Sequence, residues 1–294
     1  MDEQIGILAF EQMRSKFNMG SSRIRAINLV KYLPQSELFV MGRMYSVVIF
    51  QKAYWIDYAE RFSGIKILDI CDPDFLDWRS PCLAMAHRCD AITTSTPRLA
   101  DIIARYVKRP TWCIPDRLDL ETFADMQKVH LSNGRAETAA WFGYSSNIIS
   151  LENALPDLVQ CGFKRVIVIS ELGQEYVLPR QFASAIALTP YPYHPDTINS
   201  YLLEADVVLN YKLAYGRWQY KSNNKTITAW ALGLPVAHST GELLKWLPEA
   251  ARISESMVRL HEVRDRYDIR LSAREVEAVI RSVRTDRSAC FTEP

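Results

Sequence analysis

The sequence lacks the motifs that would point to a metal enzyme, a disulfide-bonded protein or a membrane-spanning protein. Its six cysteines are scattered, and none belongs to a Cys-x-x-Cys pair or a zinc-binding spacing. An Asp-x-Asp motif is missing from the second half of the chain, and Asp72-Pro73-Asp74 has these letters in the first half. No apolar run is long enough to cross a bilayer. We therefore expect reduced thiols, no obligate metal and no transmembrane segment.

An excess of charge of one sign is also missing, because 35 basic residues face 34 acidic ones and the net charge is +1. A chain so close to neutral has no overall field that would bind nucleic acid or a membrane surface, so only a local patch could do so. A nucleic-acid partner is therefore disfavoured but stays open, as does peripheral membrane contact. The acidic start of the sequence is unlike a signal peptide, and we predict a cytoplasmic protein.

What the sequence does contain is a regular alternation of apolar strands and helical segments over 294 residues, of which 48% are hydrophobic. This alternation predicts βαβ units and mostly parallel sheets. The polar stretch 119–135, with Ser132-Asn133-Gly134 as its clearest break, interrupts the pattern before it restarts at Thr138. We predict an α/β protein of two doubly wound, Rossmann-like domains facing a cleft. Their predicted bounds are 1–134 and 135–294, with a hinge near Ser132–Arg135.

The stretch Tyr220–His238 predicts a loop, a helix and a short strand. Ser222 is a suitable N-cap because its hydroxyl can accept a hydrogen bond from a free amide of the first turn. Gly233 can end the helix in a left-handed conformation, and Pro235 cannot continue it. Helical spacing predicts that one face meets a core, and its members are Ile227, Trp230, Ala231 and Leu234.

The polar face of this helix carries Asn224, Lys225 and Thr228, with Lys221 just ahead of the cap. A helix N-terminus has free amides and partial positive charge, so lysines and asparagines there would suit a phosphate or a diphosphate. The alternative is a solvated first turn with ordinary surface lysines, since short motifs of this kind have many false positives.

The same residues belong to a longer pattern. Lys221-Ser222-Asn223-Asn224-Lys225 is followed, after three residues, by Ala229-Trp230-Ala231-Leu232-Gly233-Leu234-Pro235-Val236, and both are preceded by Ala205-Asp206-Val207-Val208-Leu209. This pattern resembles the donor-site segment of family-4-like glycosyltransferases of the GT-B fold. Lys225 matches a lysine of that family, whereas Thr228 stands where the family has a glutamate that touches the donor.

The resemblance implies an enzyme that uses a nucleotide-diphosphate sugar as its donor and needs no obligate metal or cofactor. It also implies retention at the anomeric carbon, and C-terminal helices that pack partly on the first domain. In this class of enzyme, basic side chains and a helix end stabilise the leaving diphosphate.

A second candidate phosphate site is the stretch Trp141–Asn147, in which a strand leads through Gly143 into a helix. The backbone at a glycine can approach a phosphate closely, and the alternative is a plain strand-to-helix turn. Because the similar enzymes often open their donor domain with such a turn, we interpret Gly143 as part of the donor site. Tyr193, within Tyr191-Pro192-Tyr193-His194, could frame a nucleobase.

Two charged clusters in the first half are candidates for the acceptor side. Asp69, Asp72 and Asp74 cluster at the end of a predicted strand, where a carboxylate could accept a proton or bind a sugar hydroxyl, or could serve turn formation alone. A basic cluster follows the first strand and consists of Arg14, Lys16, Arg23 and Arg25. It could meet the phosphates of the donor across the cleft, bind an anionic acceptor or form a solvated face.

These observations give a set of proposed site residues. The catalytic residues are Lys225, Lys221 and Asp72, and the donor-binding residues are Gly143, Tyr144, Ser170, Tyr193, Arg217, Asn224, Thr226 and Thr228. The acceptor-side residues are Arg14, Arg23, Arg25 and Asp69, and no residue is assigned to a metal.

The favoured hypothesis is a hexosyl- or pentosyltransferase that moves a sugar from a nucleotide-diphosphate sugar to the hydroxyl of a saccharide or another acceptor. The first alternative is a GT-B module that binds a nucleotide or carbohydrate without turnover, which Thr228 in place of glutamate allows. The second is a glycosyltransferase that acts on nucleic acid. Turnover of a nucleotide sugar distinguishes the enzyme from the binding module.

Overall fold

A computed structural model describes residues 4–13, 19–77, 79–130 and 134–290, without the side chains of residues 77, 79, 80, 289 and 290. In this part of the chain the strands form two parallel sheets. The first has six strands in the order β2-β1-β3-β4-β5-β6. Its strands are β1 (Ile5–Ala9), β2 (Ser36–Leu38), β3 (Val47–Gln51), β4 (Ile65–Ile70), β5 (Ala91–Thr94) and β6 (Thr111–Cys113).

The second sheet has five strands in the order β11-β10-β7-β8-β9. They are β7 (Thr138–Phe142), β8 (Arg165–Ser170), β9 (Ala187–Pro192), β10 (Val207–Leu209) and β11 (Val236–Ala237). The strands in the middle of each sheet are buried on both faces, as the apolar runs of the sequence predict.

Helices connect the parallel strands in the described ranges. They are α1 (Gly20–Ser22), α2 (Ile56–Arg61), α3 (Asp74–Asp77), α4 (Arg79–Arg88), α5 (Pro97–Ile103), α6 (Ile149–Glu152), α7 (Leu155–Gln160), α8 (Ile198–Leu203), α9 (Asn224–Ala231), α10 (Thr240–Lys245), α11 (Glu249–Arg266) and α12 (Ile269–Cys290). After α1 the chain continues through a π-helical turn, Arg23–Ile27. None of the helices in these ranges is long and apolar enough to cross a membrane.

The chain divides into two compact units, each built around one sheet. Unit 1 comprises residues 1–119, 215–222 and 268–294, and unit 2 comprises residues 120–214 and 223–267. The division therefore falls at Asp119/Leu120, whereas the sequence places the boundary at Gly134/Arg135. Helix α12, which follows unit 2 in the sequence, also belongs to unit 1. Its apolar face joins the core of the first sheet through Ile269, Val276 and Ile280. The predicted α/β fold of two Rossmann-like domains is thus confirmed.

The strand orders define where ligands bind in sheets of this kind. In unit 1 the winding reverses between β1 and β3, and in unit 2 it reverses between β7 and β10. Ligands of doubly wound sheets bind beyond the carboxyl ends of the strands at such a reversal. The residues that follow these ends are Phe10 and Lys52 in unit 1 and Gly143 and Asn210 in unit 2.

A buried ion-pair network fixes the carboxyl edge of the first sheet. The guanidinium of Arg25 donates from Nε and Nη2 to the two carboxylate oxygens of Asp69, at 2.7 and 2.6 Å. Its Nη1 donates to Asp116 at 2.9 Å, and the Thr93 hydroxyl donates to Asp69 at 2.7 Å. Because every charged group of this network is buried, each depends on its partners to offset the loss of hydration.

We expect Arg25→Met to destabilise the protein strongly, because it leaves the carboxylates of Asp69 and Asp116 buried without their cation. The free energy of unfolding should fall by about 3–5 kcal/mol, as measured by urea denaturation at neutral pH. The control is Arg281→Met, which removes an exposed ion pair to Glu277 in the same unit. This variant should lose no more than about 0.5 kcal/mol. Equal losses in the two variants would contradict the role of the network.

Candidate functional site

Helix α9 begins beside the carboxyl edge of the second sheet and ends as the sequence predicts. Gly233 has a φ of +72°, which is the left-handed conformation expected at the end of a helix. Ile227, Ala231 and Leu234 are buried and Trp230 is partly buried, so the predicted apolar face is confirmed. The predicted cap is wrong: Asn223 occupies the N-cap position, and the Ser222 hydroxyl donates to Asp116 at 2.6 Å.

The side chain of Lys225 lies directly against the glycine turn that follows β7. A Cβ atom built on Gly143 would lie 2.5 Å from the Lys225 Nζ, and the φ of Gly143 is +155°. The same ammonium lies 4.4 Å from the ring centroid of the fully buried Trp141. An ammonium over an indole face is attracted by the negative potential of the ring. The structure therefore brings Lys225, a predicted catalytic residue, and Gly143, a predicted donor-binding residue, together at the reversal of the second sheet.

Hydrogen bonds join the first turn of α9 to the neighbouring strand ends. Asn210, directly after β10, donates from Nδ2 to the Thr226 hydroxyl at 2.9 Å. The Thr226 hydroxyl also lies 3.4 Å from Nε2 of His238, whose Nδ1 lies 2.9 Å from Glu242. These contacts fix the start of α9 against β10 and β11, so that Lys225 is held in a defined position.

Two further predicted donor residues on this helix bond to each other. The Thr228 hydroxyl donates to Oδ1 of Asn224 at 3.2 Å, and Thr228 is buried. The neutral Thr228 thus orients the Asn224 amide, whereas the glutamate that the resemblance expects would carry a charge at this position.

The helical turn that follows Gly143 is already capped by a carboxylate. Glu171, directly after β8, accepts from the Ser145 amide at 2.8 Å and from the Ser145 hydroxyl at 2.5 Å. Tyr144, which precedes this turn, is exposed. Because a second anion at the Ser145 amide would be repelled by Glu171, a phosphate at this edge is favoured on the Lys225 side of Gly143.

Two predicted donor residues lie further along the same edge. Ser170, the last residue of β8, is fully buried, and its hydroxyl accepts from the Leu172 amide. Its carbonyl accepts from the amide of Tyr193, which follows β9 and is half-buried against the core. Ser170 therefore shapes the loop that carries Tyr193.

The predicted residues Arg217 and Lys221 belong to unit 1, although the sequence assigns them to the second domain. They lie on the segment 215–222, which is tied to α5 because the Thr96 hydroxyl donates to the Tyr220 carbonyl at 3.2 Å. The ammonium of Lys221 lies 4.6 Å from the ring centroid of Trp218.

Asp72 lies after β4 in unit 1 and has a strongly cationic environment. Burial alone would raise its pKa, but the ion pair with Lys52 and the charges of Lys221 and Arg217 hold the pKa of this carboxyl below its ordinary value. Asp72 is therefore ionised at neutral pH, in the form that accepts hydrogen bonds. The structure brings three predicted site residues together here, Asp72, Lys221 and Arg217.

The predicted acceptor-side residues have other surroundings. Arg25 and Asp69 bond to each other in the buried network described above, so both support the sheet edge. Arg23 is half-buried on the π-helical turn. Arg14 and Lys16 lie outside the described residues.

Sequence reasoning missed several side chains at these two edges. In unit 2 they are Trp141, Glu171 and Asn210, and in unit 1 they are Lys52 and Tyr54. Three of them directly follow a strand, namely Asn210, Glu171 and Lys52. A polar residue directly after a predicted strand is therefore the sequence signal that could have identified them. In the described ranges no group of His, Cys, Asp and Glu side chains is placed to hold a metal ion.

Two parallel sheets of six and five strands with connecting helices are consistent with the two Rossmann-like domains of the GT-B fold. A scan of the sequence against models of known protein families gives no match, and a search among curated proteins gives none either. Solved structures do match, at probabilities of 1.00.

The similar structures include three glycosyltransferase-type proteins. The HepE protein of Anabaena, solved with UDP and glucose, has a TM-score of 0.70 and 12% identity over 95% of this chain and 100% of its own. Sucrose-phosphate synthase from Thermosynechococcus elongatus has a TM-score of 0.63 and 11% identity over 82% of this chain and 74% of its own. A DNA-modifying β-glucosyltransferase, studied with and without its substrate uridine diphosphoglucose, has a TM-score of 0.54 and 9% identity over 95% and 99%. Identities this low establish the fold alone.

We predict that Gly143→Ala displaces Lys225 and weakens the binding of a nucleoside diphosphate by roughly 10-fold or more, the effect of losing one charge-assisted hydrogen bond. The added methyl group would occupy the space of the Lys225 ammonium, so the flexible end of the lysine side chain must move away from the glycine turn. Isothermal titration calorimetry with UDP measures the change.

The control for Gly143→Ala is Gly134→Ala in the same unit. Gly134 also has a positive φ, of +95°, but a Cβ there would meet nothing within 4 Å. This variant has the same kind of backbone strain without the contact to Lys225, and it should bind UDP as the wild type does. Equal weakening in both variants would contradict the steric explanation.

Proposed function

We propose that the protein transfers a sugar from a nucleoside-diphosphate sugar to a hydroxyl acceptor. The observation that carries this proposal is the position of the Lys225 ammonium, held at the glycine turn beside the first turn of α9. Breaking the glycosidic bond of such a donor builds negative charge on the diphosphate. A fixed cation beside the first turn of a helix, where the backbone carries partial positive charge, stabilises this charge where it develops.

In this proposal unit 2 binds the donor. Lys225, Asn224 and the backbone at Gly143 hold the diphosphate, and the half-buried Tyr193 lies next to the nucleobase. The fold supports this placement, because ligands of doubly wound sheets bind at the reversal of the winding. Thr226, held by Asn210, fixes the turn of α9 that presents Lys225.

We propose UDP as the nucleotide and a hexose such as glucose as the sugar. The support is that HepE was solved with UDP and glucose, and that the DNA-modifying β-glucosyltransferase has uridine diphosphoglucose as a substrate. Both carry the same fold at low identity, so the donor of this chain has to be identified by experiment. The anomeric configuration of the product, compared with that of the donor, distinguishes retention from inversion.

Unit 1 is proposed to bind the acceptor at Asp72. An ionised carboxylate at a strand end can accept a hydrogen bond from a sugar hydroxyl and orient its oxygen for attack. Lys221 and Arg217 favour the ionised carboxylate, since their charges lower its pKa.

A binding module without turnover is the second candidate, and Thr228 favours it. The glutamate of similar enzymes would contact the donor, whereas the Thr228 hydroxyl is buried and bonded to Asn224. A module of this kind would bind UDP and release no UDP from UDP-glucose.

The test begins with a thermal-shift screen of nucleotide sugars, because a ligand that binds only the native state raises the melting temperature. Donors that raise it are then incubated with hydroxyl acceptors, including mono- and disaccharides and duplex DNA, and the release of nucleoside diphosphate is measured. We expect binding and acceptor-dependent release. Binding without release from any donor would support the module, and no binding at all would overturn the proposal.

We expect Lys225→Ala to lower kcat/KM by roughly 10–100-fold while the fold stays intact, because the ammonium contact strengthens as the diphosphate leaves. Lys225→Arg should not restore the rate, since a planar guanidinium does not fit beside Gly143 where a compact ammonium does. Steady-state kinetics with the donor found in the screen measure both variants.

Lys245→Ala is the matched control for Lys225→Ala. Lys245 also places its ammonium over a tryptophan of unit 2, 4.1 Å from the ring centroid of Trp246, but lies on α10. Its removal should leave kcat/KM unchanged. A wild-type kcat/KM in Lys225→Ala would remove Lys225 from the site.

A further inference from the structure

Lys52 is a buried lysine at the reversal of the winding in unit 1. It follows β3 directly and lies 5.4 Å from the ring of Phe10, which follows β1. Its φ is +52°, a left-handed conformation that is unfavourable for a residue with a side chain. Its amide still donates to the Asp69 carbonyl at 3.0 Å, so the strand ladder continues up to this bend. The strained bend directs a long cationic side chain along the carboxyl edge of the sheet.

The ammonium of Lys52 joins two carboxylates that differ in exposure. It lies 2.8 Å from Asp72 and 3.4 Å from Asp74. The side chain of Lys52 is 7% exposed and that of Asp74 is 13% exposed, whereas that of Asp72 is 30% exposed. Tyr54 donates to Asp74 at 2.7 Å and so satisfies the inner carboxylate. Asp72 is therefore the member of the cluster that reaches the surface.

The charges around the cluster favour the ionised form of Asp72. Burial opposes the charge of Lys52, but the neighbouring Cys71 and the carboxylates of Asp72 and Asp74 outweigh it and raise the pKa of the ammonium. Burial raises the pKa of Asp74 and of the neighbouring Cys71 thiol. Three cations, Lys52, Lys221 and Arg217, thus lower the pKa of Asp72. Asp74 is the nearby acid, and the Cys71 thiol is neutral.

We propose that Lys52 is a positioning residue of the transfer reaction, whose ammonium orients Asp72 and keeps it ionised so that this carboxylate accepts the hydrogen bond of the acceptor hydroxyl. This inference rests on the proposed function. It assigns Lys52 no contact with the acceptor, since the ammonium is buried beneath Asp72 and Asp74. A purely structural ion pair would hold the fold without affecting the protonation state on which transfer depends.

The first test compares the pH profile of kcat/KM for the wild type and Lys52→Met. Without the ammonium, burial raises the pKa of Asp72, so the acidic limb should move up by about 1–3 pH units. Raising the pH should then restore most of the lost rate, and Lys52→Arg should lie close to the wild type. A loss of rate that no pH restores would mark Lys52 as structural and overturn the inference.

Two further variants keep the test decisive if Lys52→Met folds poorly. Lys52→Gln keeps a hydrogen-bond donor beside Asp72 and Asp74 but removes the charge, so the acidic limb should again move to higher pH. Lys31→Met breaks the ion pair of another lysine of unit 1, with Asp119, and should leave the limb in place. A limb that Lys52→Gln leaves unmoved, or that Lys31→Met moves equally, would contradict the inference.

The second test needs no activity. A carbon-13 titration of the Asp72 carboxyl, assigned by comparison with Asp72→Asn, should show a higher pKa in Lys52→Met than in the wild type. An unchanged titration overturns the inference. A wild type that transfers no sugar overturns the proposed function. A wild type that transfers sugar, with an acidic limb that Lys52→Met leaves in place, overturns only the role of Lys52.

Discussion

The parallel pairing of all strands in both sheets is the constraint on which the position of every candidate residue depends. Parallel strands end at the same edge, so the residues that follow them converge although they are far apart in the sequence. Gly143, Glu171 and Asn210 meet in this way in unit 2. Lys52 and Asp72 meet in the same way in unit 1. The helices contribute the remaining groups, above all the first turn of α9 with Lys225.

The two edges differ in the group that each of them presents. In unit 2 a half-buried ammonium faces a turn without a side chain, and the nearby Glu171 already caps the Ser145 amide. That edge is suited to an anion at Lys225. In unit 1 the cations Lys52, Lys221 and Arg217 surround a carboxylate, which they keep ionised and able to accept hydrogen bonds. A diphosphate donor and a hydroxyl acceptor match these two edges respectively.

Much of the fold could be predicted from the sequence, because strands, breaks and helix ends are local signals. The failures arise from contacts that only the fold creates. Ser222 has the chemistry of an N-cap but bonds to Asp116, 106 residues away. The ion pair between Arg25 and Asp69, both predicted as acceptor-side residues, is likewise not visible in the sequence. Lys225 and Gly143 can be named from the sequence because a helix start and a glycine turn have recognisable patterns, and their role in a donor site stays a prediction.

The central claim is that unit 2 binds the nucleoside diphosphate at Gly143 and Lys225. Hydrogen exchange of the whole chain, measured with and without saturating UDP, tests it most directly. The account predicts slower exchange of the amides at Phe142–Asn147 and Asn224–Thr226, because the ligand covers the glycine turn and the first turn of α9. Slower exchange confined to residues 4–119 would contradict it.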